Sequence, residues 1–505
     1  MQKKSLLLYA FILLKFTIQY FLIHPVFDLQ RDEYLHLDLG KHLAWGYTSV
    51  PPVTSWISMI ISWLGNSVFW IKFFPALFGA LTLVVVWKII EELKGGLFAL
   101  ILGATAVTFS ALFRLNTLFQ PNSLDVLCWT LLYYTLIKYV NTSNTKWLWA
   151  LALVFAIGFL NKYSIVFLAA GVLPALLLTE HRKWFTQRPV YISAALSLLL
   201  ISPNLYWQYQ HDFLVFKHME ELTRTQLVNV NRLDFLREQV MFFFGSLFVL
   251  LAALIAFVIY LPFKKYRFIL LSTLFTLFLF IYFKAKGYYA IGLYPVLLGF
   301  GAVYLEHLLN KGWKLYLRPV AILIPLLLFI PALKIAFPIY TPETMVKNRH
   351  LYQKFGMLRW EDGKDHLLPQ DFADMLGWKE LARKVDLAYG QIKDRKHALV
   401  ICDNYGLAGA INYYSKYKEI RAVSFNADYK YWFDFNEEIK SVISVKAANN
   451  EDIANKGDHT LFKKIRLIGK IENKYAREKG ACIFLMTEPT TSINVILQER
   501  LASLP

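Results

Sequence analysis

Long apolar runs dominate the N-terminal part of this chain, and they restrict it to one class of fold. Between residues 5 and 337, about eleven mainly apolar segments follow one another, each near the length that an α-helix needs to cross a bilayer. Of the 505 residues, 56% are hydrophobic and only 18% are charged, which is too apolar for a soluble enzyme of this length. The sequence therefore predicts an α-helical polytopic membrane protein.

The first apolar run is predicted to be a retained span and not a cleaved signal peptide. It follows Lys3 and Lys4 and has no small-residue cleavage site before the polar loop behind it. The eleven predicted spans are residues 5–24, 67–90, 96–113, 123–140, 147–160, 164–178, 190–207, 240–261, 268–283, 288–309 and 316–337.

The basic residues predict the orientation of these spans. When the loops are assigned alternately to the two sides, the basic ones all fall on the side of the N-terminus, which the positive-inside rule makes cytoplasmic. We therefore expect a bacterial inner-membrane protein with a cytoplasmic N-terminus and an extracytoplasmic tail. Cysteines introduced at Ser49 and Asn450 should be labelled from outside, and one at Thr186 should not. The basic loops contain residues 88–94, 146, 181–188, 264–267 and 311–318.

The tail changes composition and predicts a second domain. Helix-like and strand-like stretches alternate in it, which is typical of a small α/β domain. The predicted division is therefore a transmembrane domain at 1–337 and a soluble extracytoplasmic α/β domain at 338–505. Between them along the chain, residues 208–239 place apolar residues at helical spacing among charges, which predicts an interfacial amphipathic helix.

Charge and cysteine content exclude two further classes. The net charge of +18 lies in short loops between apolar runs and not on one soluble face, which argues against a nucleic-acid partner. The three cysteines form no disulfide framework or metal motif. Cys402 and Cys482 both lie in strand-like runs of the tail, so they either pair, if the tail is extracytoplasmic, or, as is commoner, stay free and buried.

The polar loop behind the first span, residues 31–52, carries the most unusual chemistry. Its sequence RDEYLHLDLGKHLAWGYTSVPP sets Asp32, Glu33, His36 and Asp38 within two helical turns. Asp32 and His36 would share a helix face at i and i+4, as an acid/base or a metal site requires. The alternative is a solvated interfacial helix, in which the acidic residues are stabilised by the positive end of the helix dipole.

Isolated cations on the same predicted side suggest an anion site. Basic residues are depleted there, and Lys162, Arg114, Lys284 and Lys286 remain. Snorkelling to headgroups explains any one of them, whereas several near an acidic loop are more typical of phosphate binding. Four further residues are candidates with structural alternatives, namely helix capping for Asp125 and an aromatic belt for Trp207, Tyr288 and Tyr289.

Several stretches resemble a known family in their order along the chain. They are DEYLHLDLGKHLAWGYTSVPP, GFLNKYSIVFLAAGVLPALLLTEHRKW, SPNLYWQYQHDF, KAKGYYAIGLYPVLLGFGAVYLE, GWKELARKV and NYGLAGAINYYS. With them the chain resembles the bacterial polyprenyl-phosphate-sugar glycosyltransferases of the GT-C fold. That membrane superfamily includes dolichyl-phosphate-mannose protein mannosyltransferases and the lipid A aminoarabinose transferases.

The resemblance implies roles for particular residues. Asp32 serves as, or next to, the general base, with Glu33 supporting it, and the donor is a lipid-phosphate-sugar. In the aminoarabinose transferases a lysine precedes the Pro-Pro pair, whereas Val50 stands there in this chain. This departure weakens assignment to the lipid A branch and shifts phosphate binding to Lys162, Lys284 or Lys286.

The resulting hypothesis is an inverting glycosyltransferase that moves a sugar from a polyprenyl-phosphate-sugar to an acceptor hydroxyl on a lipid, a glycan or a protein. Asp32 takes the acceptor proton, and cations stabilise the departing phosphate. No cofactor is expected, and a divalent metal at Asp32, Glu33 or His36 is the weaker alternative. The competing class is a polytopic transporter or lipid flippase, although no inverted repeat is visible. The phosphate set is Lys162, Lys284, Lys286, Arg114, Tyr288 and Tyr289, and the acceptor or sugar set is His36, Asp125 and Trp207.

Overall fold

The computed structural model describes residues 2–448 and 459–504, and α-helices make up most of them. Asn450, one of the labelling positions, lies outside the described residues. The helices in the first part are α1 Gln2–Phe21, α2 Arg31–Leu39, α3 Val53–Trp63, α4 Val68–Glu92, α5 Leu97–Thr108, α6 Leu112–Leu115, α7 Asn122–Thr142, α8 Lys146–Asn161, α9 Ile165–Leu177, α10 Arg188–Gln210, α11 Leu214–Thr225, α12 Arg232–Phe242, α13 Leu247–Ile259, α14 Arg267–Tyr282, α15 Tyr294–Leu308 and α16 Leu317–Ala336.

The later part of the chain contributes shorter helices and all the described strands. Its helices are α17 Pro342–Lys347, α18 Arg349–Lys354, α19 Gln370–Ala373, α20 Trp378–Tyr389, α21 Tyr405–Tyr414 and α22 Ile493–Ala502, and its strands are β1 Ala398–Cys402, β2 Ala422–Ser424, β3 Ser441–Lys446, β4 Phe462–Lys470 and β5 Cys482–Pro489. Short 3-10 helices occupy Glu180–Thr186, Leu227–Asn229, Phe244–Ser246, Leu261–Tyr266, Gly287–Leu293, Gly312–Tyr316, Arg395–His397 and Ala427–Tyr431.

Internal contacts divide the chain into two compact units. The membrane unit consists of Met1–Ile23 and Ala44–Ile339, and the C-terminal unit consists of His24–Leu43 and Tyr340–Pro505. The predicted division lay at residues 337 and 338. The contacts place the change two residues later and, in addition, assign α2 to the C-terminal unit. The helix that carries Asp32 thus folds with the tail.

Helix lengths in the membrane unit qualify the expected span count of about eleven. Among the described residues, six helices are long and apolar enough to cross a membrane, and two bent pairs raise that number to eight. Each predicted run contains a helix. However, α5 has only 12 residues and is about 18 Å long, which is too short to cross a bilayer. The six are Lys3–Phe21, Val68–Glu92, Arg188–Gln210, Leu261–Tyr282, Gly287–Leu308 and Gly312–Ala336.

The loops of the membrane unit meet in two separate groups at the two ends of α7. At the start of α7, Lys162 bonds Asn122. At its end, Asn141 donates to Glu92 and accepts from Lys265. A helix of 21 residues is roughly 31 Å long, so the two groups lie a bilayer's thickness apart. The second group includes two of the basic loops that the sequence predicts on one side of the membrane, 88–94 and 264–267.

The C-terminal unit is built on a five-stranded mixed sheet within its described residues. The strand order is β2-β1-β3-β5-β4, with β1 parallel to β2 and β3, and β5 antiparallel to β3 and β4. The central strands are buried almost throughout, as strands covered on both faces are. Helix α21 packs against both α20 and α2.

Cys402 and Cys482, whose pairing the sequence left open, are free in the described structure. Cys402 in β1 pairs with Val445 of β3, and Cys482 in β5 pairs with Lys446 of the same strand. One strand therefore separates the two cysteines, which puts them about 10 Å apart and beyond the reach of a disulfide. Both are buried.

The segment predicted as an interfacial helix forms two helices, α11 and α12. Helix α11 buries only Leu214 and leaves Phe216 and Met219 exposed on one side. Helix α12 is held through Gln239, which donates to the carbonyl oxygen of Gly287 at 3.1 Å. Its interfacial location stays a prediction.

Candidate functional site

Helix α2 begins at a capping box that the sequence encodes locally. The side chain of Gln30 accepts a hydrogen bond from the backbone N–H of Asp32 at 2.8 Å, and Glu33 accepts one from the backbone N–H of Gln30 at 2.8 Å. Such reciprocal bonds satisfy amides that the first turn leaves unpaired. Glu33 is fully buried in this role. Of the two acidic residues after Arg31, Glu33 therefore caps the helix through its side chain, and Asp32 contributes its backbone N–H.

The other end of α2 is anchored through Asp38. Its Oδ2 accepts hydrogen bonds from Tyr429 at 2.7 Å and from Asn412 at 2.8 Å, and Lys41 bonds its Oδ1 at 2.8 Å. Asp38 is 3% exposed, so a buried carboxylate is compensated by three donors. This carboxylate has a structural role in joining α2 to the later part of the C-terminal unit.

Asp32 differs from its neighbours because it stays partly exposed. Its Oδ1 accepts a hydrogen bond from the hydroxyl of Tyr405 at 2.7 Å. The guanidinium carbon of Arg31 lies 4.2 Å from the centre of the Tyr405 ring. Asp32 is thus a carboxylate oriented by a neighbour and still accessible, which is the geometry a general base needs.

His36, one turn further along α2, is 5% exposed. Burial lowers its pKa to about 4, against the opposing charges of Asp32 and Glu33. The imidazole is therefore neutral at physiological pH. Its predicted contact with a sugar or acceptor is not tested by this structure.

Nearby in the C-terminal unit, the buried Asp374 forms an ion pair with the partly exposed Arg477. The Nη1 of Arg477 lies 3.1 Å from the Oδ1 of Asp374. Burial raises the pKa of Asp374 to about 7, although Arg477 and Arg31 both oppose the shift. The backbone N–H of Arg31 donates to the carbonyl oxygen of Asp374 at 3.1 Å, so this pair also supports the start of α2.

In the membrane unit, the turn at residues 161–164 bonds several other elements through consecutive side chains. Asn161 donates to the carbonyl oxygen of Pro121 at 2.9 Å. Tyr163 donates to Asn204 of α10 at 3.1 Å. Ser164 donates to Asp125, with its Oγ 2.9 Å from each carboxylate oxygen. Because these residues are buried or nearly so, the turn fixes the residue between them, Lys162, in place.

Lys162 lies at the centre of the predicted phosphate set. Its Nζ donates to the Oδ1 of Asn122 at 2.8 Å and lies 3.9 Å from the Oδ2 of Asp125. The same ammonium group is 4.6 Å from the ring centre of Tyr289 and 5.3 Å from that of Tyr288. The structure therefore brings together four of the predicted residues as one cation held between a carboxylate and two aromatic rings.

Two of the three remaining predicted cations make contacts of their own in the membrane unit. Lys286 donates to Gln226 at 2.7 Å, which ties the turn at 284–289 to the segment between α11 and α12. Arg114 donates to Thr117 within its own turn at 2.9 Å. Lys284 is exposed and has a φ of 51°. The described contacts connect none of these three directly to Lys162.

Trp207 lies at the end of α10 and packs flat on His211, with ring centres 4.0 Å apart. Its other neighbour is Gly46, where a Cβ would lie 2.4 Å from the indole. One turn earlier, Asn204 donates to the carbonyl oxygen of Trp45 at 2.6 Å. The last part of the polar loop is thereby fixed to α10 within the membrane unit.

Two comparisons with known proteins bear on this geometry. A sequence model of the family described as dolichyl-phosphate-mannose-protein mannosyltransferase matches residues 49–207. The lipid A galacturonosyltransferase RgtD of Rhizobium johnstonii is 27% identical over 210 residues, which cover 40% of this chain and 43% of RgtD. The alignment thus spans less than half of that relative.

Solved structures are similar over nearly the whole chain. ArnT from Cupriavidus metallidurans bound to undecaprenyl phosphate superposes with a TM-score of 0.62 at 12% identity, covering 95% of this chain and 97% of ArnT. The oligosaccharyltransferase of Archaeoglobus fulgidus superposes with a TM-score of 0.51 at 11% identity, covering 87% of this chain and 67% of that one. This chain has the GT-C fold.

The GT-C fold confirms the predicted fold class, a polytopic helical membrane protein with a C-terminal α/β domain. The resemblance to polyprenyl-phosphate-sugar glycosyltransferases is confirmed as well, since the family and the relative are both glycosyltransferases by description. Among the described residues, no group of three or more His, Cys, Asp or Glu side chains is arranged to hold a metal ion. Independence of metals stays a prediction.

Sequence reasoning missed some residues that bond Asp32, Lys162 and Asp125. Tyr405 orients Asp32 from a position 373 residues away, and Asn122 and Ser164 hold Lys162 and Asp125. Asn122 and Ser164 flank residues that the sequence did single out, so their proximity was a usable signal. Tyr405 lies in NYGLAGAINYYS, which the resemblance named without giving a role to any of its residues.

Proposed function

We propose that this protein transfers a sugar from a polyprenyl-phosphate-sugar to an acceptor hydroxyl. The observation that carries the proposal is the cluster at Lys162, where one ammonium group is held beside Tyr288, Tyr289 and Asp125. A cation that hydrogen bonds already hold in place needs little structural reorganisation to stabilise the negative charge that develops on a leaving phosphate. The GT-C fold favours this activity over the transporter alternative.

The proposed reaction is a single displacement. The acceptor oxygen attacks the anomeric carbon while the bond from that carbon to the phosphate oxygen breaks, so the configuration inverts. The acceptor proton passes to the carboxylate of Asp32, and the polyprenyl phosphate leaves with the bonding electrons. Asp32 is suited to the first role because it is partly exposed, whereas Glu33 and Asp38 on the same helix are buried.

Lys162 is suited to the second role. Its neighbours Asn122 and Asp125 hold the ammonium group without enclosing it, since Lys162 keeps about a fifth of its side chain exposed, 19%. Tyr288 and Tyr289 are also partly exposed and can donate hydrogen bonds to phosphate oxygens. Lys286, Lys284 and Arg114 stay proposed contributors, and the described contacts join Lys286 to Gln226 and Arg114 to Thr117.

The relatives indicate which donor and acceptor to test first. RgtD is by name a lipid A galacturonosyltransferase, and ArnT has been solved with undecaprenyl phosphate. We therefore propose an inner-membrane enzyme that uses an undecaprenyl-type donor and modifies a lipid A-type acceptor. The C-terminal unit would then lie outside the cytoplasm, where such an acceptor is available.

A transfer assay tests the proposal directly. The purified full-length protein in lipid vesicles is supplied with undecaprenyl phosphate that carries radiolabelled galacturonic acid, and with lipid A. We expect label in the lipid A fraction and release of undecaprenyl phosphate in equal amounts. Other sugars on the same carrier form the second series. No transfer from any polyprenyl-phosphate-sugar, in a preparation that binds undecaprenyl phosphate, would contradict the proposed activity.

A further inference from the structure

Two tyrosines of the C-terminal unit bond carboxylates of the same helix at the same distance. Tyr405 donates to the Oδ1 of Asp32 at 2.7 Å, and Tyr429 donates to the Oδ2 of Asp38 at 2.7 Å. The two carboxylates differ in their surroundings. Asp38 is buried under three donors, whereas Asp32 is partly exposed. One of the two bonds therefore holds the helix, and the other orients a group that substrate can reach.

The ring of Tyr405 is fixed from more than one direction. Tyr405 is the first residue of α21, whose N-cap Asn404 accepts hydrogen bonds from the backbone N–H groups of Gly406 and Leu407 at 3.0 and 3.1 Å. The Arg31 guanidinium stacks on the ring at 4.2 Å. The start of α21 thus holds the backbone of Tyr405 and Arg31 holds its ring, so the hydroxyl is directed at Asp32.

The close approach of the two helices depends on small residues. At Gly406 a Cβ would lie 2.7 Å from the Cγ of Arg31, and at Gly409 a Cβ would lie 2.7 Å from the Cβ of Tyr34. Glycine at these two positions of α21 lets α2 lie against the helix backbone. The position of Tyr405 relative to Asp32 therefore follows from helix packing and not from a flexible loop.

We propose that Tyr405 is the positioning residue of the catalytic base, and that supplying it is a function of the C-terminal unit. This inference rests on the proposed role of Asp32. The hydroxyl holds Oδ1 and so fixes the plane of the carboxylate that receives the acceptor proton. Tyr405 keeps its own proton throughout, so it donates and does not exchange.

The chemistry of Tyr405 fits a permanent donor. Burial, with the nearby charge of Asp32, raises the pKa of Tyr405 well above its usual range. The phenol is therefore protonated at every pH at which the enzyme would work. A hydrogen bond to a carboxylate favours its ionised form, which is the form that acts as a base.

The experiment compares Tyr405→Phe with Tyr429→Phe in the purified full-length protein. Each change removes one hydroxyl that bonds a carboxylate of α2 at 2.7 Å, so the two are matched in type and location. For Tyr405→Phe we expect kcat to fall about tenfold with an unchanged KM for the donor. The acidic limb of its pH–rate profile should move to higher pH, because a hydrogen bond donated to a carboxylate favours the ionised form. Tyr429→Phe should lower the apparent Tm and leave the acidic limb in place.

A second substitution covers the case in which Tyr405→Phe does not fold. Site-specific 3-fluorotyrosine at position 405 keeps the ring and the hydroxyl but makes the phenol a stronger donor. The acidic limb should then move to lower pH. If instead Tyr405→Phe loses activity equally at all pH values, or fluorination leaves the limb in place, Tyr405 is structural only and the inference is wrong.

Asp32→Asn separates this inference from the proposed function. An inactive Asp32→Asn together with a wild-type pH profile in Tyr405→Phe would overturn the positioning role alone. An active Asp32→Asn would remove the proposed base and the inference with it. In the Asp32→Asn background, Tyr405→Phe should cause no further loss of kcat, because the two residues act as a unit.

Discussion

The ammonium group of Lys162 donates a hydrogen bond of 2.8 Å to the side-chain oxygen of Asn122, although 40 residues separate the two. The bond joins the turn before α9 to the start of α7. It places a cation, with Tyr289 at 4.6 Å, at the end of the membrane unit opposite the basic loops. A lysine that only snorkelled to headgroups would need none of these contacts.

Lys162→Ala should therefore weaken binding of the donor. We expect a loss of about 1.5 to 3 kcal/mol, the range for a hydrogen bond to a charged group, which is roughly 10- to 100-fold in Kd. The measurement is titration of undecaprenyl phosphate against the protein in detergent. Lys217→Ala is the matched control, since Lys217 is an exposed lysine of α11 in the same unit. Equal, near-zero effects of the two changes would remove Lys162 from the phosphate site.

Asp32→Asn should abolish most of the transfer activity. The change keeps the shape of the side chain and its bond with Tyr405 but removes the base, so we expect kcat to fall by about two to four orders of magnitude. The transfer assay measures this fall, with the apparent Tm as a check on folding. Asp394→Asn, on an exposed aspartate of the C-terminal unit, should leave the rate unchanged. A rate within a few-fold of wild type for Asp32→Asn would move the base elsewhere.

Most helices of the membrane unit could be predicted from apolar runs, but α3 was missed and the helix ends could not be predicted. The run at 96–113 looks continuous, yet α5 stops at Thr108. There the backbone N–H of Ala111 donates to the carbonyl oxygen of Phe242, a residue of a distant helix. Hydropathy indicates which segments are buried away from water, but it does not identify a hydrogen-bond partner as distant in sequence as Phe242.

The residue types of the candidate site could be predicted from the sequence, but the partners that these residues bond could not. A carboxylate pair in a polar loop and isolated lysines drew attention because charges are expensive near lipid. The grouping of Asp32 with the C-terminal unit follows instead from glycine and tyrosine residues in α21, which have many uses in any sequence. Only the fold shows that Tyr405 and Tyr429 bond Asp32 and Asp38, two of the three acidic residues of α2.

The packing of α2 on α21 gives a prediction about glycine. Replacing a glycine inside a helix by alanine usually stabilises the helix. In Gly409→Ala, however, the added Cβ would lie 2.6 Å from the hydroxyl oxygen of Tyr429 and 2.7 Å from the Cβ of Tyr34. We expect this variant to lose about 1 to 3 kcal/mol, the usual cost of overpacking, and to show a lower apparent Tm.

Gly299→Ala in α15 is the control for Gly409→Ala. A Cβ at Gly299 would meet its nearest neighbour, Ile89, at 3.4 Å, which is ordinary van der Waals contact. We expect its apparent Tm to stay near that of wild type. A Gly409→Ala protein as stable as Gly299→Ala would show that α2 does not pack as closely on α21 as described.

The buried His36 makes stability depend on pH with a definite sign. Burial lowers its pKa to about 4 in the folded chain, whereas the unfolded value is near 6.5. Between these values the unfolded state binds the proton more tightly, so stability should fall as the pH falls from 6.5 to 4. His36→Gln removes the titration. The difference in apparent Tm between wild type and His36→Gln should therefore change across this window, by the equivalent of roughly 2 to 3 kcal/mol. A constant difference from pH 7 to pH 4 would mean that His36 is solvated in the folded protein.

Cysteine labelling can test the predicted orientation because the native thiols are shielded. Cys128, Cys402 and Cys482 are at most 3% exposed, so an impermeant maleimide should react little with the wild-type protein in intact cells. A cysteine introduced at Ser49 or Asn450 should be labelled from outside. One at Thr186, in the loop that the basic residues assign to the cytoplasm, should react only after the membrane is opened. Labelling of Thr186→Cys in intact cells, with Asn450→Cys protected, would reverse the orientation and place the C-terminal unit in the cytoplasm.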